Sequence, residues 1–276
     1  MIRILVDSAS DVPYSNSENI YVVPLSVTIN EKTYLDGAQL GHDEFYDMLT
    51  STDTFPKSSH PSPQAFAEAF EKAKENNEEL ICILLSSGVS GTYQSACLAK
   101  NIVGYDNIHI IDSLTGSYGV YLLVQQAQKM IEQGCSAQEI VAEIESLKER
   151  VMVYLSVDTL EYLYRGGRLS KTSALIGSVA KIKPVIYVTE KGTIGVFNKQ
   201  IGISRAINAL VDVAKNNPAD SQHSFYTICT AGTNNVEMLE ERLKENSVSV
   251  TQRIQMGPVV GTHAGPEAFG IIYIRK

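Results

Sequence analysis

The chain has 276 residues, 44% of them hydrophobic and 20% charged, which is enough apolar material for a large core and does not suggest a disordered or fibrous chain. With 31 acidic against 23 basic residues the formal net charge is −8, and no run of Lys or Arg forms a stripe that tracks phosphates, so nucleic acid is not an expected partner. No basic segment followed by a long apolar one opens the sequence, and no apolar run reaches the roughly 18 residues of a membrane span, so the expected place of action is the cytoplasm.

In chain order, apolar runs at 2–6, 20–27, 80–85 and 108–111 read as buried strands. A helix is predicted from Ser62 as N-cap and Pro63 at the first helical position, with Phe66, Ala69, Phe70 and Ala73 at core-facing spacing. A second covers 121–132 and stops at Gly134. A third follows the capping-box pair Ser136 and Glu139 and carries Ile140, Val141, Ile144 and Leu147. Alternating strands and helices predict an α/β fold with a mostly parallel sheet covered on both faces.

The later half reads as a strand at 151–157, a short helix at 159–164, a basic glycine loop at 165–168, and a hairpin of 184–189 with 193–197. Helices at 203–215 and 236–244 and strands at 225–230, 248–254 and 270–274 complete it. The pattern predicts two α/β domains, 1–150 and 151–276, the second with a mixed sheet.

Ligands of parallel α/β sheets lie beyond the carboxyl ends of strands. The turns there are rich in hydroxyls and glycine: Asp7, Ser8, Ser10 and Asp11; Ser86, Ser87, Gly88, Ser90, Gly91 and Thr92; Asp112, Ser113, Thr115, Gly116 and Ser117. Such turns offer N–H groups and hydroxyls to an anionic head group at a helix N-terminus, and they equally make ordinary caps. Ser90, crowded by small residues, is the best functional candidate among them. Ser58 and Ser59 precede a helix that Ser62 already caps, which leaves both hydroxyls available to a ligand or to an ordinary polar loop. His263 stands among glycines and prolines at 257–266, in what reads as a rigid loop, either donating to an anion or satisfying a carbonyl. Arg165, Gly166, Gly167 and Arg168 suit a phosphate, a solvated turn or a docking surface.

The four cysteines, Cys82, Cys97, Cys135 and Cys229, lack CxxC spacing and read as reduced packing residues. Neither HExxH, GxxxxGK[ST] nor a GxGxxG after the first strand occurs, so no metal and no nucleotide cofactor is expected.

The motifs together resemble the DegV family, fatty-acid-binding proteins that serve bacterial fatty acid kinase. The resemblance runs through Asp7-Ser8-Ala9-Ser10-Asp11, Ser86-Ser87-Gly88-Val89-Ser90-Gly91-Thr92-Tyr93-Gln94-Ser95-Ala96 and Asp112-Ser113. It continues through Gly166-Gly167-Arg168-Leu169-Ser170, Ile182-Lys183-Pro184-Val185-Ile186 and residues 257–266. It implies two α/β domains with the ligand between them, a long-chain fatty acid buried in an apolar tunnel, with its carboxylate held at the domain junction by Ser58, Ser90 and His263 and with Ser59 able to substitute for Ser58. It further implies a fatty acid kinase catalytic subunit as partner, which phosphorylates the acid to an acyl phosphate, with Arg168 and Arg205 on the docking surface. The chain departs from the family pattern at Ser58 and His60, where Thr and Gln are typical.

A serine-type lipid esterase is the enzyme alternative, since Ser90, Asp112 and His263 fall in the chain order of α/β-hydrolases. Gly88-Val89-Ser90-Gly91-Thr92 has Thr where a nucleophile elbow needs its last glycine. A small-molecule kinase using the glycine-rich turns is a third reading, without a metal-binding carboxylate cluster to accompany it.

Overall fold

The computed structural model describes residues 1–12, 20–52, 54–170 and 182–276. Its first half runs β1 (Ile2–Asp7), β2 (Ile20–Val23), β3 (Ser26–Ile29), β4 (Lys32–Leu35), α1 (His42–Ser51), β5 (Lys57–Ser59), α2 (Pro63–Glu75), β6 (Glu79–Leu84), α3 (Thr92–Val103), β7 (Ile108–Asp112), α4 (Tyr118–Glu132) and α5 (Ala137–Leu147). Strands β2-β1-β6-β7 pair in that order, all parallel.

Their near-continuous apolar sequences follow from burial on both faces. Leu5, Leu80, Cys82 and Leu84 pack against Phe66 and Phe70 of α2 and Ala96 and Ala99 of α3. Ile4, Val6, Ile81 and Ile83 face Val120, Leu123 and Val124 of α4 and Ile140 and Ile144 of α5. The caps form as the sequence predicts. Ser62 accepts from the Ala65 N–H, and Ser136 and Glu139 make the reciprocal capping box.

The second half contains β8 (Val151–Ser156), α6 (Glu161–Arg165), β9 (Ile182–Val188), β10 (Ile194–Ile201), α7 (Ile203–Asn216), β11 (Tyr226–Cys229), α8 (Asn234–Glu245), β12 (Gln252–Gln255), α9 (Pro258–Ala264) and β13 (Phe269–Ile274). Its six strands pair in the order β10-β9-β8-β13-β11-β12, with β11 and β12 parallel and the other pairs antiparallel. The molecule is therefore a two-domain α/β fold with a parallel sheet and a mixed sheet.

Side-chain alternation gives the mixed sheet two different faces. Val185, Ile271 and Tyr273, with Met152 and Tyr154 packed beside them, lie under α7 and α8 in one core. Val153, Leu155, Ile186 and Ile272 point the other way, toward the first half of the chain.

Three segments differ from the sequence reading. The run 20–27 breaks at Pro24, which has no N–H to give a ladder, so β2 stays in the parallel sheet while β3 joins β4 and β5 in a small antiparallel sheet. Ser58 and Ser59, expected in a loop, therefore lie on β5, where Val27 pairs with Ser58 and Ser26 with Ser59. Residues 257–266, read as a rigid loop, contain α9, with Pro258 at its start and Gly265 at φ 80° just past its end.

Candidate functional site

Between the inward face of the mixed sheet and the strand ends of the parallel sheet lies a cavity whose atom-free space, mouth included, is about 860 Å³. Val153, Leu155, Ile186, Val188, Ile194 and Ile272 form its apolar wall from the mixed sheet. Leu85, Val89 and Gly116 close it from the first half, and Val259, Val260 and Ala264 of α9 cover it. Its polar lining includes Ser58, His60, Ser90, Arg168 and His263.

Those polar groups are tied to one another. Ser58 Oγ lies 2.7 Å from His263 Nε2. Gly166 packs directly on the far side of the imidazole, where a Cβ would stand 2.2 Å from Nδ1, so only glycine fits there. The Arg168 guanidinium donates to the Gly166 carbonyl at 2.6 Å and to the Val89 carbonyl at 2.9 Å, one residue before Ser90. Ser90 Oγ is 2.8 Å from Thr92 Oγ1 at the start of α3, whose N-cap Gly91 offers no side-chain cap. The basic glycine loop thus serves as packing around His263 and Arg168.

Burial, reinforced by the nearby Arg168 charge, pushes the His263 pKa down to about 3, so the ring is neutral at physiological pH. Its Nδ1 is buried without a hydrogen-bond partner. A neutral ring that must leave one nitrogen unpartnered does so at lower cost as an acceptor than as an N–H, which places the proton on Nε2, donating to Ser58. The Ser58 hydroxyl hydrogen is then free to donate into the cavity. Burial also lowers the Arg168 pKa, but an arginine remains charged.

A second polar cluster adjoins the cavity wall at Ser117. The Ser117 hydroxyl donates a hydrogen bond to the Asp11 carboxylate, which also accepts from the Gly257 N–H. Asp7 accepts from the Ala9 and Leu85 N–H groups at 3.0 and 2.7 Å and so stitches β1 to the end of β6. Burial pushes these carboxyls up, Asp7 to about 6, Asp36 to about 7 and Asp11 to about 8. The first turn is thus a buried structural junction, as capping alone would have it.

Of the residues singled out in the sequence, Ser58, Ser90, His263 and Arg168 come together. Ser59 points away, exposed and outside the cavity wall, as strand alternation after Ser58 requires. Arg205 lies apart, exposed on the first turn of α7 in a groove with Phe197 and Asn198. The order Ser90, Asp112, His263 does not assemble a relay. Asp112 accepts from the Ser87 and Leu114 N–H groups, and His263 bonds Ser58 rather than Ser90.

The sequence reading missed the apolar wall and the Asp11–Ser117 pair. The cysteines are unpaired thiols. Among the described residues no cluster of His, Cys, Asp and Glu suits a metal, and no helix is long and apolar enough to cross a membrane.

The family model described as "Uncharacterised protein, DegV family" matches residues 1–276. A DegV domain-containing protein of Caldanaerobacter subterraneus subsp. tengcongensis is 36% identical over 280 residues, covering 100% of this chain and 99% of that one. Among solved structures, the fatty acid binding DegV family protein SAG1342 of Streptococcus agalactiae superposes with a TM-score of 0.90 at 26% identity, covering 100% of this chain and 99% of that one. The Streptococcus pneumoniae Fatty Acid Kinase (Fak) B3 protein, solved loaded with linoleic acid, superposes at 0.86 and 26% identity with the same coverage. This chain belongs to the DegV family.

Proposed function

We propose that the chain carries a long-chain fatty acid, buried tail first in the cavity, and presents its carboxylate to the catalytic subunit of a fatty acid kinase, which phosphorylates it to an acyl phosphate. The observation that carries this reading is the division of one cavity into an extended apolar wall and a single polar cluster of Ser58, Ser90, His263 and Arg168. A fatty acid has the same division. Each methylene moved from water into such a wall gains roughly 0.8 kcal/mol, and a carboxylate accepts charge-assisted hydrogen bonds from hydroxyl donors.

In this reading the Nε2 proton of His263 orients Ser58, Ser58 and Ser90 donate to the carboxylate, and Arg168 supplies the opposite charge. The chain performs no covalent step itself and needs no cofactor, the phosphoryl transfer belonging to the partner. Arg168, at the cavity, and Arg205, which lies apart from it on α7, are each assigned a contact with the kinase. The linoleic acid loaded in the Streptococcus pneumoniae protein, and the fatty acid binding of the Streptococcus agalactiae protein, support the choice of ligand.

The test is reconstitution with a purified fatty acid kinase catalytic subunit, ATP and chain loaded with one fatty acid, trapping acyl phosphate with hydroxylamine. Acyl phosphate that forms only when the loaded chain is present, and that falls with Arg205→Ala at unchanged fatty acid content, is the expected result. Acyl phosphate or ester turnover by this chain alone would overturn it.

A further inference from the structure

His60 belongs to two walls at once. On one side it lines the cavity with Ser58, Ser90 and His263, and on the other it lines an outer groove with Tyr21, Pro24, Ala65 and Lys72. Its ring packs on Gly91, where a Cβ would come within 3.0 Å of two ring atoms, so the imidazole stands at the N-terminus of α3, beside Ser90. Unlike His263, whose Nδ1 is buried, His60 is exposed.

The charged and titratable groups that share these walls with it are Arg168 and His263 on the cavity side, and Tyr21 on β2 and Glu68 and Lys72 on α2 on the groove side. Glu68 is the carboxylate among them, and Arg168 and Lys72 are the permanent cations, one on each side of the ring.

Building on the carrier reading, we propose that His60 is a further ligand residue that makes the hold on the fatty acid depend on pH. Its imidazolium adds a positive charge beside Arg168 at the cavity mouth, so the carboxylate is held more tightly while His60 is protonated and loosened once it is neutral. Histidine is the side chain whose ordinary pKa, near 6.5, puts this change within the physiological range. At a partly exposed mouth the pair is worth about 0.5 to 1 pKa unit, a three- to tenfold change in affinity. By linkage the bound anion must raise the His60 pKa by the logarithm of the same factor.

Other groups do not imitate this signature. A fatty acid carboxyl with an ordinary pKa is ionised above about pH 5.5. His263, held down to about 3, is neutral throughout. Asp7, Asp36 and Asp11 titrate nearby but are equally present in a His60 variant.

The experiment measures the Kd of delipidated protein for cis-parinaric acid, by its fluorescence, from about pH 5.5 to pH 8 in the wild type and His60→Gln. It also follows the His60 imidazole by NMR titration with and without the acid. Expected are a three- to tenfold steeper loss of affinity with rising pH in the wild type than in the variant, and a His60 pKa raised by about 0.5 to 1 unit on loading. Superimposable pH profiles, with an unmoved His60 titration in protein that does bind the acid, would overturn the inference and leave the carrier reading standing. Wild type that fails to bind at any pH would overturn both.

Discussion

The buried carboxyls make the protein lose stability as pH rises above neutrality, and Asp11→Asn should remove most of that loss. Asp11 is 8% exposed, and burial, with Asp36 and Asp7 adding like charge nearby, raises its pKa from 3.8 to about 8 while Ser117 and Gly257 hold it in place. A carboxyl whose folded pKa lies above its unfolded value keeps its proton in the native state and releases it on unfolding. Its stabilisation is thus complete at low pH and is lost as pH rises toward the folded pKa.

Between pH 6.5 and 8 the native state's excess at Asp11 over the unfolded state falls from about one proton to about half, which at about 1.4 kcal/mol per proton and pH unit sums to roughly 1.5 kcal/mol over the window. Asp36, raised to about 7, adds a smaller loss at the start, and Asp7, raised to about 6, has finished. His263 acts with opposite sign and outside the window, because its depressed pKa destabilises the fold only as pH falls from 6.5 toward 3. For a chain this long the sum corresponds to a fall in Tm of about 5 °C.

Calorimetry of delipidated protein at constant ionic strength should show that fall in the wild type and a markedly flatter profile in Asp11→Asn, which keeps an acceptor for Gly257 and gains a donor for Ser117. A wild-type Tm that is flat or rising over the window, or an unchanged slope in the variant, would refute the reasoning.

Two further outcomes follow from the geometry. Ser58→Ala removes the hydroxyl bonded to His263 and one charge-assisted donor to the proposed carboxylate, worth about 1.5 to 3 kcal/mol, so the fatty acid Kd should rise roughly 10- to 100-fold, and a rise below about threefold would remove Ser58 from the site. Gly192→Ala, at the tip of the β9–β10 hairpin, meets both a φ of +69° and a Cβ 2.0 Å from Ser86 Oγ, the hydroxyl that donates to the Gly192 carbonyl across the two halves. It should lower stability by about 1 to 3 kcal/mol in urea unfolding, and a variant as stable as the wild type would show that this clasp is not tight.

What the sequence made legible was local. The strands of the parallel sheet declare themselves because both faces are buried, so their apolar runs are nearly unbroken, and Ser62 and the Ser136–Glu139 pair declare helix starts because their partners are three residues away. The small antiparallel sheet was hidden. β5 is only three polar residues long, and the β3–β4 hairpin turns on Asn30 and Glu31, both at positive φ without a glycine to signal it. α9 was misread because its boundary residues, Pro258 and Gly265, look like loop composition when the helix between them is only seven residues long.

The site was legible only through motifs. Ser58 and His263 touch across 205 positions and Ser117 and Asp11 across 106, separations that no periodicity encodes. The apolar wall is still less visible, since Val153, Leu155, Ile186 and Ile272 look like any strand residues until alternation turns them toward the cavity rather than toward α7 and α8.

The central claim, that the cavity holds a fatty acid by its carboxylate, is tested most directly by denaturing protein purified from cells and identifying the released lipid by mass spectrometry, with a Ser90→Ala, His263→Ala double variant processed in parallel. The account predicts one long-chain free fatty acid at close to one per chain from the wild type, and its depletion in the folded variant. No lipid from the wild type, even after incubation with a panel of fatty acids, would contradict it.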